Sequence, residues 1–215
     1  MLKAIIFDFD YTLGDSTNGI ALSINYGLKK LGHEEKELSA IRKTIGLSLK
    51  ETYAALTADP EGEKAVQFAR YYMEKADCVM VENTVLYEGV KETLGKLREN
   101  GYQTAIVTTK FHYRIEQILR KFDAVDLIDL IVGSEDVKVE KPNPEGLLWA
   151  IKHLGVEKNE VLYVGDSLVD AKTAKRAEVD FAAVLTGTTT PENFAEYPNV
   201  YIVKNVPEIW HFIMK

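Results

Sequence analysis

The chain has 215 residues, 46% of them hydrophobic and 27% charged, with a formal net charge of -7. That length supports one full core and a small second unit, and the acidic balance, with no Lys/Arg cluster to reverse it, argues against a nucleic-acid surface. No apolar stretch reaches the roughly 20 residues of a membrane helix and the N-terminus lacks signal-peptide features, so a cytoplasmic protein is expected. Cys78, the single cysteine, excludes an intrachain disulfide or a thiolate zinc site and is expected as a reduced core residue.

The apolar run Ala4-Ile5-Ile6-Phe7 reads as a buried strand that delivers Asp8 and Asp10 to its C-terminal end. Strand geometry puts residues i and i+2 on one side. Asp also suits turns, but two carboxylates this close to an apolar core call for a cation between them, and a divalent metal is the usual one. A helix follows, with Ile20, Ile24, Leu28 and Leu31 at helical spacing, Ser16 as N-cap and Gly32 as stop. Helical pattern continues over Glu37 to Thr44, Ser48 to Thr57 and Glu61 to about Met80, with breaks at Ile45-Gly46-Leu47 and Asp59-Pro60. Tyr71-Tyr72 is assigned to this block's own core. Residues 16–83 read as an all-helical insert between the segments 1–15 and 84–215.

From Leu86 the rhythm alternates helix and strand, which implies βαβ units, a parallel sheet and an α/β fold. The expected order is a helix over Val90 to Glu99, a strand over Tyr102 to Thr108, a helix marked by Ile115, Ile118, Leu119 and Phe122, and a strand over Leu127 to Val132. Then come a helix from Pro144 to His153, a strand Val161 to Val164, a helix Leu168 to Ala177, strands Phe181 to Leu185 and Val200 to Val203, and a closing helix around Ile209. Trp149, among Leu147, Leu148 and Ile151, is expected in the core.

Chemistry-bearing residues gather at these strand ends. Thr108-Thr109-Lys110 places hydroxyls and an ammonium at the sheet mouth, where a phosphate oxygen can be held; a lone Thr there would be no more than a good strand residue. Lys141 leads into Pro142-Asn143-Pro144, two prolines that stiffen the approach to a helix. Gly165-Asp166-Ser167 follows a strand, and Asp170 lies one helical turn further on. Asp170 alone could be a helix-terminus residue, but with Asp166 it can reach one hard cation, and Mg2+ prefers oxygen ligands. His33, His112, His153 and His211 show no metal-ligand spacing, although His112 falls near the expected pocket.

Carboxylate pair, threonine, lysine, and glycine with two further carboxylates, each behind a strand, resemble the four motifs of the haloacid dehalogenase superfamily of phosphatases. The resemblance covers essentially the whole chain, because the helical insert matches the cap of that superfamily's first subclass; it implies a Rossmann-like parallel core (1–15 and 84–215) with a cap (16–83). Asp15-Ser16, Ile41-Arg42-Lys43-Thr44-Ile45-Gly46, Leu86-Tyr87-Glu88-Gly89-Val90, Val107-Thr108-Thr109-Lys110 and Lys141-Pro142-Asn143-Pro144 are most similar to the phosphoglycolate phosphatase and pyrophosphatase group. Tyr11 and Glu178 stand where the family has glycine.

What the resemblance implies is a Mg2+-dependent phosphatase for a small phosphorylated metabolite, phosphoglycolate first and pyrophosphate next. Asp8 would be the nucleophile, Asp10 the general acid and base, and Thr108 and Lys141 the groups holding the transferred phosphoryl. Asp8, Asp166, Asp170 and the backbone carbonyl of Asp10 would hold Mg2+, while Thr109, Lys110 and Arg42 would touch the substrate. The expected partner is a small anionic phosphorylated molecule, with no nucleic acid and no membrane, for a monomer or homodimer. A phosphomutase of the β-phosphoglucomutase kind, which would require a sugar bisphosphate, is a second reading. A phospho-acceptor like receiver domains is a third, and the helical insert fits it badly.

Overall fold

The computed structural model describes residues 1–59, 63–197 and 200–213. The chain divides into two compact units, Met1–Asp15 with Leu86–Lys215, and Ser16–Val85. Strand β1 (Ala4–Phe7) is buried throughout, as a run of apolar residues with both faces covered must be. The chain leaves the first unit through β2 (Gly14–Asp15) and returns through β3 (Val85–Leu86), and these two short strands pair with each other.

The second unit holds α1 (Thr17–Lys30), α2 (Leu38–Arg42), α3 (Leu49–Thr57) and α4 (Glu63–Val79). α1 and α4 form its main packing pair, and they approach closely because glycine faces the neighbour. A Cβ at Gly27 would come within 2.9 Å of Phe68, and one at Gly19 within 2.8 Å of the Met80 sulfur. Tyr53, Phe68 and Tyr72 stack in sequence between the helices. Helix α3 starts on a reciprocal cap, the Ser48 hydroxyl accepting from Glu51 N while the Glu51 carboxylate accepts from Ser48 N.

The first unit continues with α5 (Val90–Glu99), β4 (Gln103–Val107), α6 (His112–Lys121), β5 (Leu130–Val132), α7 (Glu145–Leu154), β6 (Val161–Gly165), α8 (Leu168–Ala177), β7 (Asp180–Val184), β8 (Val200–Val203) and α9 (Val206–Ile213). The six strands form one sheet in the order β5-β4-β1-β6-β7-β8, with parallel pairing throughout. Successive connections run to one side of β1 and then to the other. The direction therefore reverses at β1, between β4 and β6, and the crevice beyond the carboxyl ends of these three strands is where such a sheet binds ligands. One sheet face packs Ala4, Ile6, Ala105, Val107, Tyr163 and Ala183 against Leu147, Ala150, Ala171 and Ala174 of α7 and α8.

Several expectations are corrected. Cys78 is exposed rather than in the core; it lies near the end of α4, away from the buried stripe of Ala65, Phe68, Tyr72 and Ala76. Trp149 is 36% exposed and stacks its ring on His153 at 3.6 Å, because Leu147, Ala150 and Ile151 take the inward face of α7. Ser16 does precede α1, but its hydroxyl accepts from the Thr84 hydroxyl at 3.0 Å instead of capping the helix. The expected helix over Glu37 to Thr44 shortens to α2, and the strand over Leu127 to Val132 begins only at Leu130, after a 3-10 turn at Val125–Leu127. The expected break at Pro60 and helix start at Glu61 lie outside the described residues. Among the described residues no helix is long and apolar enough to cross a membrane.

Tyr11 and Glu178, the two residues standing in place of family glycines, both adopt left-handed backbone, with φ of 60° and 61°. Glu178 ends α8, where its amide closes on Ala174 and Lys175 carbonyls in the conformation that glycine fills without a Cβ penalty. Glu178→Gly is expected to raise the free energy of unfolding by about 1 kcal/mol, the relief of left-handed strain less the added freedom of the unfolded chain. Urea titration of the two proteins measures it.

Candidate active site

The segment after β1 is shaped by a tight turn rather than by strand pleat. Asp8 N still donates to Val164 O at 2.8 Å, but the amides of Thr12, Leu13 and Gly14 all fold back onto Phe9 O at 2.9 to 3.1 Å. Tyr11, in its left-handed conformation, donates its amide to Gly14 O at 2.8 Å and accepts the Thr186 hydroxyl on its carbonyl. The strand alternation invoked for Asp8 and Asp10 thus stops at Phe7; the turn brings both carboxylates to the sheet mouth.

Each carboxylate has its own lysine. Lys141 Nζ lies 2.8 Å from Asp8 Oδ1 and 2.7 Å from Asp170 Oδ1, while Lys110 Nζ lies 3.0 Å from Asp10 Oδ2. All of these side chains are at most about one-tenth exposed. Asp166 is buried too, walled by the Thr12 hydroxyl at 3.5 Å from its Oδ1 and by Gly187, where a Cβ would collide with Oδ2. Asp170 closes a reciprocal cap at the start of α8, its Oδ2 accepting from the Ser167 hydroxyl at 2.6 Å. Gly165 is required beneath it, since a Cβ there would sit 2.5 Å from Asp170 Cγ.

Ligating oxygens of Asp8, Asp166 and Asp170 all lie within 4.8 Å of one another, and the ammonium among them is that of Lys141. Three carboxylates to one ammonium is an excess of buried negative charge. Burial, opposed by Lys141 and reinforced by Asp170 and Asp10, pushes the Asp8 carboxyl up to about 7. Burial, then Asp170 and Asp8, holds the Asp166 carboxyl well above the ordinary range. For Lys141 burial works against the charged form, but Asp170 and Asp8 outweigh it and its proton is held well above the usual lysine range. The all-oxygen donor set and the surplus charge fit a hard divalent cation such as Mg2+.

Thr108, at the end of β4, is buried, and its hydroxyl accepts from Lys110 N at 3.2 Å. Thr109 beside it is half-buried. Asp10 Oδ1 is buried with no hydrogen-bond partner among the described residues. Asp8, Asp10, Thr108, Thr109, Lys110, Lys141, Asp166 and Asp170 are thus gathered at the ends of β1, β4 and β6. Arg42 lies in the other unit, exposed at the end of α2. His112 is engaged by Asp136 at 2.9 Å through Nδ1 and serves its own loop.

Tyr163, Thr186 and Gly187 were missed by sequence reasoning. The Tyr163 hydroxyl donates to Asp170 Oδ1 at 2.9 Å and accepts from Lys141 Nζ at 3.1 Å. Within Val161-Leu162-Tyr163-Val164 its ring reads as core; the one available signal was that a buried phenol needs a partner.

With the site built, comparison with known proteins gives its class. The family model of haloacid dehalogenase-like hydrolases matches residues 5–184. A phosphoglycolate phosphatase of Nitrosospira multiformis is 31% identical over 219 aligned positions, covering 100% of this chain and 96% of that one. Pyrophosphatase PpaX of Bacillus velezensis is 30% identical, covering 98% and 95%. A crystal structure from Bacteroides fragilis, described as a haloacid dehalogenase-like hydrolase, superposes with a TM-score of 0.94 at 38% identity, covering 97% of this chain and 100% of that one. The chain belongs to the haloacid dehalogenase-like hydrolase family, and its kinship within that family is with phosphatases.

Because Asp8 binds its proton more tightly in the folded state, metal-free stability contributed by this group falls as pH rises from about 4 to about 7. In chelator, Asp8→Asn is expected to gain stability over the parent across that window, by no more than about 4 kcal/mol at its upper end. Thermal melts at several pH values check this. Gly187→Ala is expected to leave the fold intact while displacing the Asp166 carboxylate, lowering turnover by at least roughly tenfold and shrinking the stabilisation that added Mg2+ gives in the same melts.

Proposed function

We propose that the protein is a Mg2+-dependent phosphatase that hydrolyses a small phosphorylated metabolite through an aspartyl-phosphate on Asp8. The observation that carries this reading is the pairing of two carboxylates with two separate lysines at one sheet mouth, Asp8 with Lys141 and Asp10 with Lys110. An Asp8 oxygen attacks phosphorus and forms the P–O bond as the bond to the leaving oxygen breaks, and Asp10 gives that oxygen a proton. Asp10 then takes a proton from water, whose oxygen attacks phosphorus; the bond to Asp8 breaks, and inorganic phosphate leaves. The unpartnered Oδ1 of Asp10 suits both proton transfers.

Phosphoryl transfer depends chiefly on positioning and charge neutralisation. The Thr108 hydroxyl and Lys141 hold the transferred oxygens in this reading, with Lys141 also offsetting the charge of Asp8. Asp8, Asp166, Asp170 and the carbonyl of Asp10 hold the cation. When bound, Mg2+ supplies positive charge beside the phosphoryl oxygens and keeps the carboxylates ionised. Thr109, Lys110 and Arg42 are proposed to touch the substrate. Phosphoglycolate is the leading substrate, supported by the Nitrosospira multiformis relative named for it. Pyrophosphate is the second, favoured by the similar identity to the Bacillus velezensis pyrophosphatase.

Phosphate release from phosphoglycolate and from pyrophosphate, with Mg2+ and with chelator, tests the reading. Turnover is expected only with the metal, and Asp8→Asn is expected to lower it by about 10³-fold or more. Wild-type turnover by Asp8→Asn on every active substrate would sink the proposal.

A further inference from the structure

The hydroxyl of Tyr163 sits where three of the site's segments meet. Its oxygen lies 3.1 Å from Lys141 Nζ, 2.9 Å from Asp170 Oδ1 and 3.3 Å from the carbonyl of Val107, the residue before Thr108. The ring itself is fully buried on β6 and packs against Phe181 at 5.9 Å. A phenol has few torsions, and this one is fixed by the core beneath it.

Lysine has three N–H donors and a flexible stem, so its direction is set by its acceptors. Those of Lys141 are satisfied by Asp8 Oδ1, Asp170 Oδ1 and the Tyr163 oxygen. Since the hydroxyl accepts from Lys141, its own proton goes to a second acceptor, and the nearer and charged one is Asp170 Oδ1. Asp170 is equally committed: Oδ1 takes Lys141 and Tyr163, and Oδ2 takes the hydroxyl and amide of Ser167. A closed three-membered arrangement results, in which Tyr163 and Asp170 hold the ammonium and only its remaining donor reaches the nucleophile.

We propose that Tyr163 is a positioning residue of the hydrolytic reaction: with Asp170 it aims the Lys141 ammonium at Asp8, through a hydrogen bond made by its hydroxyl. The inference rests on the reading of Asp8 and Lys141 as nucleophile and phosphoryl-holding cation. Tyr163 touches neither substrate nor Asp8, so its hydroxyl acts on the rate through where Lys141 points. Removing it leaves the ring packing intact, gives Lys141 one acceptor fewer and frees the ammonium to leave its line to Asp8. Of the three carboxylates that would hold a cation, only Asp170 is hydrogen-bonded to the hydroxyl among the described residues, and without it Asp170 keeps Lys141 on Oδ1 and Ser167 on Oδ2.

Tyr163→Phe, assayed on p-nitrophenyl phosphate with Mg2+, is the test. Expected are a fall in kcat of about tenfold to a hundredfold, as for loss of one hydrogen bond to a charged group, and a KM changed by less than about twofold. The unfolding midpoint is expected to stay near the parent value, and any change in calorimetric Mg2+ affinity, passed on through Asp170, to be much smaller than the fall in kcat. The proposal is overturned by a kcat close to wild type, by a loss of Mg2+ affinity that matches the loss of kcat, or by loss of cooperative unfolding, which would assign the hydroxyl to the fold alone. Asp8→Asn, run alongside, separates the two levels: turnover surviving there, or none in the parent, overturns the reading of the site itself.

Discussion

The buried ammonium of Lys141, outnumbered by the carboxylates around it, is the constraint around which the first unit is arranged. Lys141 draws Asp8 from the end of β1 and Asp170 from the start of α8 to within 2.8 Å of one nitrogen, and Asp166 adds a further buried acidic group within reach of both carboxylates. Such an assembly is costly out of water. It persists because each participant is held by something else: the turn onto Phe9 O, the Ser167 cap, the Tyr163 phenol and the glycines at 165 and 187 that leave room for the acids. The surplus charge is an unfinished electrostatic arrangement, of the kind a hard divalent cation fits.

Much of the site was legible because its residues follow apolar runs. Ala4 to Phe7, Gln103 to Val107 and Val161 to Gly165 are strands whose length and composition leave little choice of structure, and parallel strands must end near one another. Asp8, Thr108 and Asp166 are therefore placed by the sheet. Lys141 stood out through its prolines. Tyr163 did not, since a tyrosine inside a strand is ordinarily packing, and its role depends on three groups distant in sequence. Thr186 and Gly187 were hidden for the same reason: nothing local announces that a loop after β7 reaches Tyr11 and Asp166.

The errors follow from treating hydrophobicity as a two-way rule. Cys78 and Trp149 were placed in the core by residue type, yet apolar atoms also make up much of any protein surface. The helix face decides, and on α4 and α7 the inward stripe was already filled by Ala65, Phe68, Tyr72 and Ala76, and by Leu147, Ala150 and Ile151. Tyr11 and Glu178 make the opposite point. Both adopt a left-handed backbone that glycine would fill without a Cβ penalty, so the surrounding hydrogen bonds dictate the conformation and the side chain bears the strain.

The position of β1 at the reversal of the sheet also bears on how the molecule is made. Its residues emerge from the ribosome before either partner strand, so one flank is covered only when Gln103 to Val107 arrives and the other only with Val161 to Gly165. Pairings this far apart in the chain form slowly. Until those partners are made the segment Ala4 to Phe7 is thus a sticky template with open edges, the kind of exposure that recruits chaperones. Asp8 and Asp10, lying next to it, are translated before the strands that complete their surroundings.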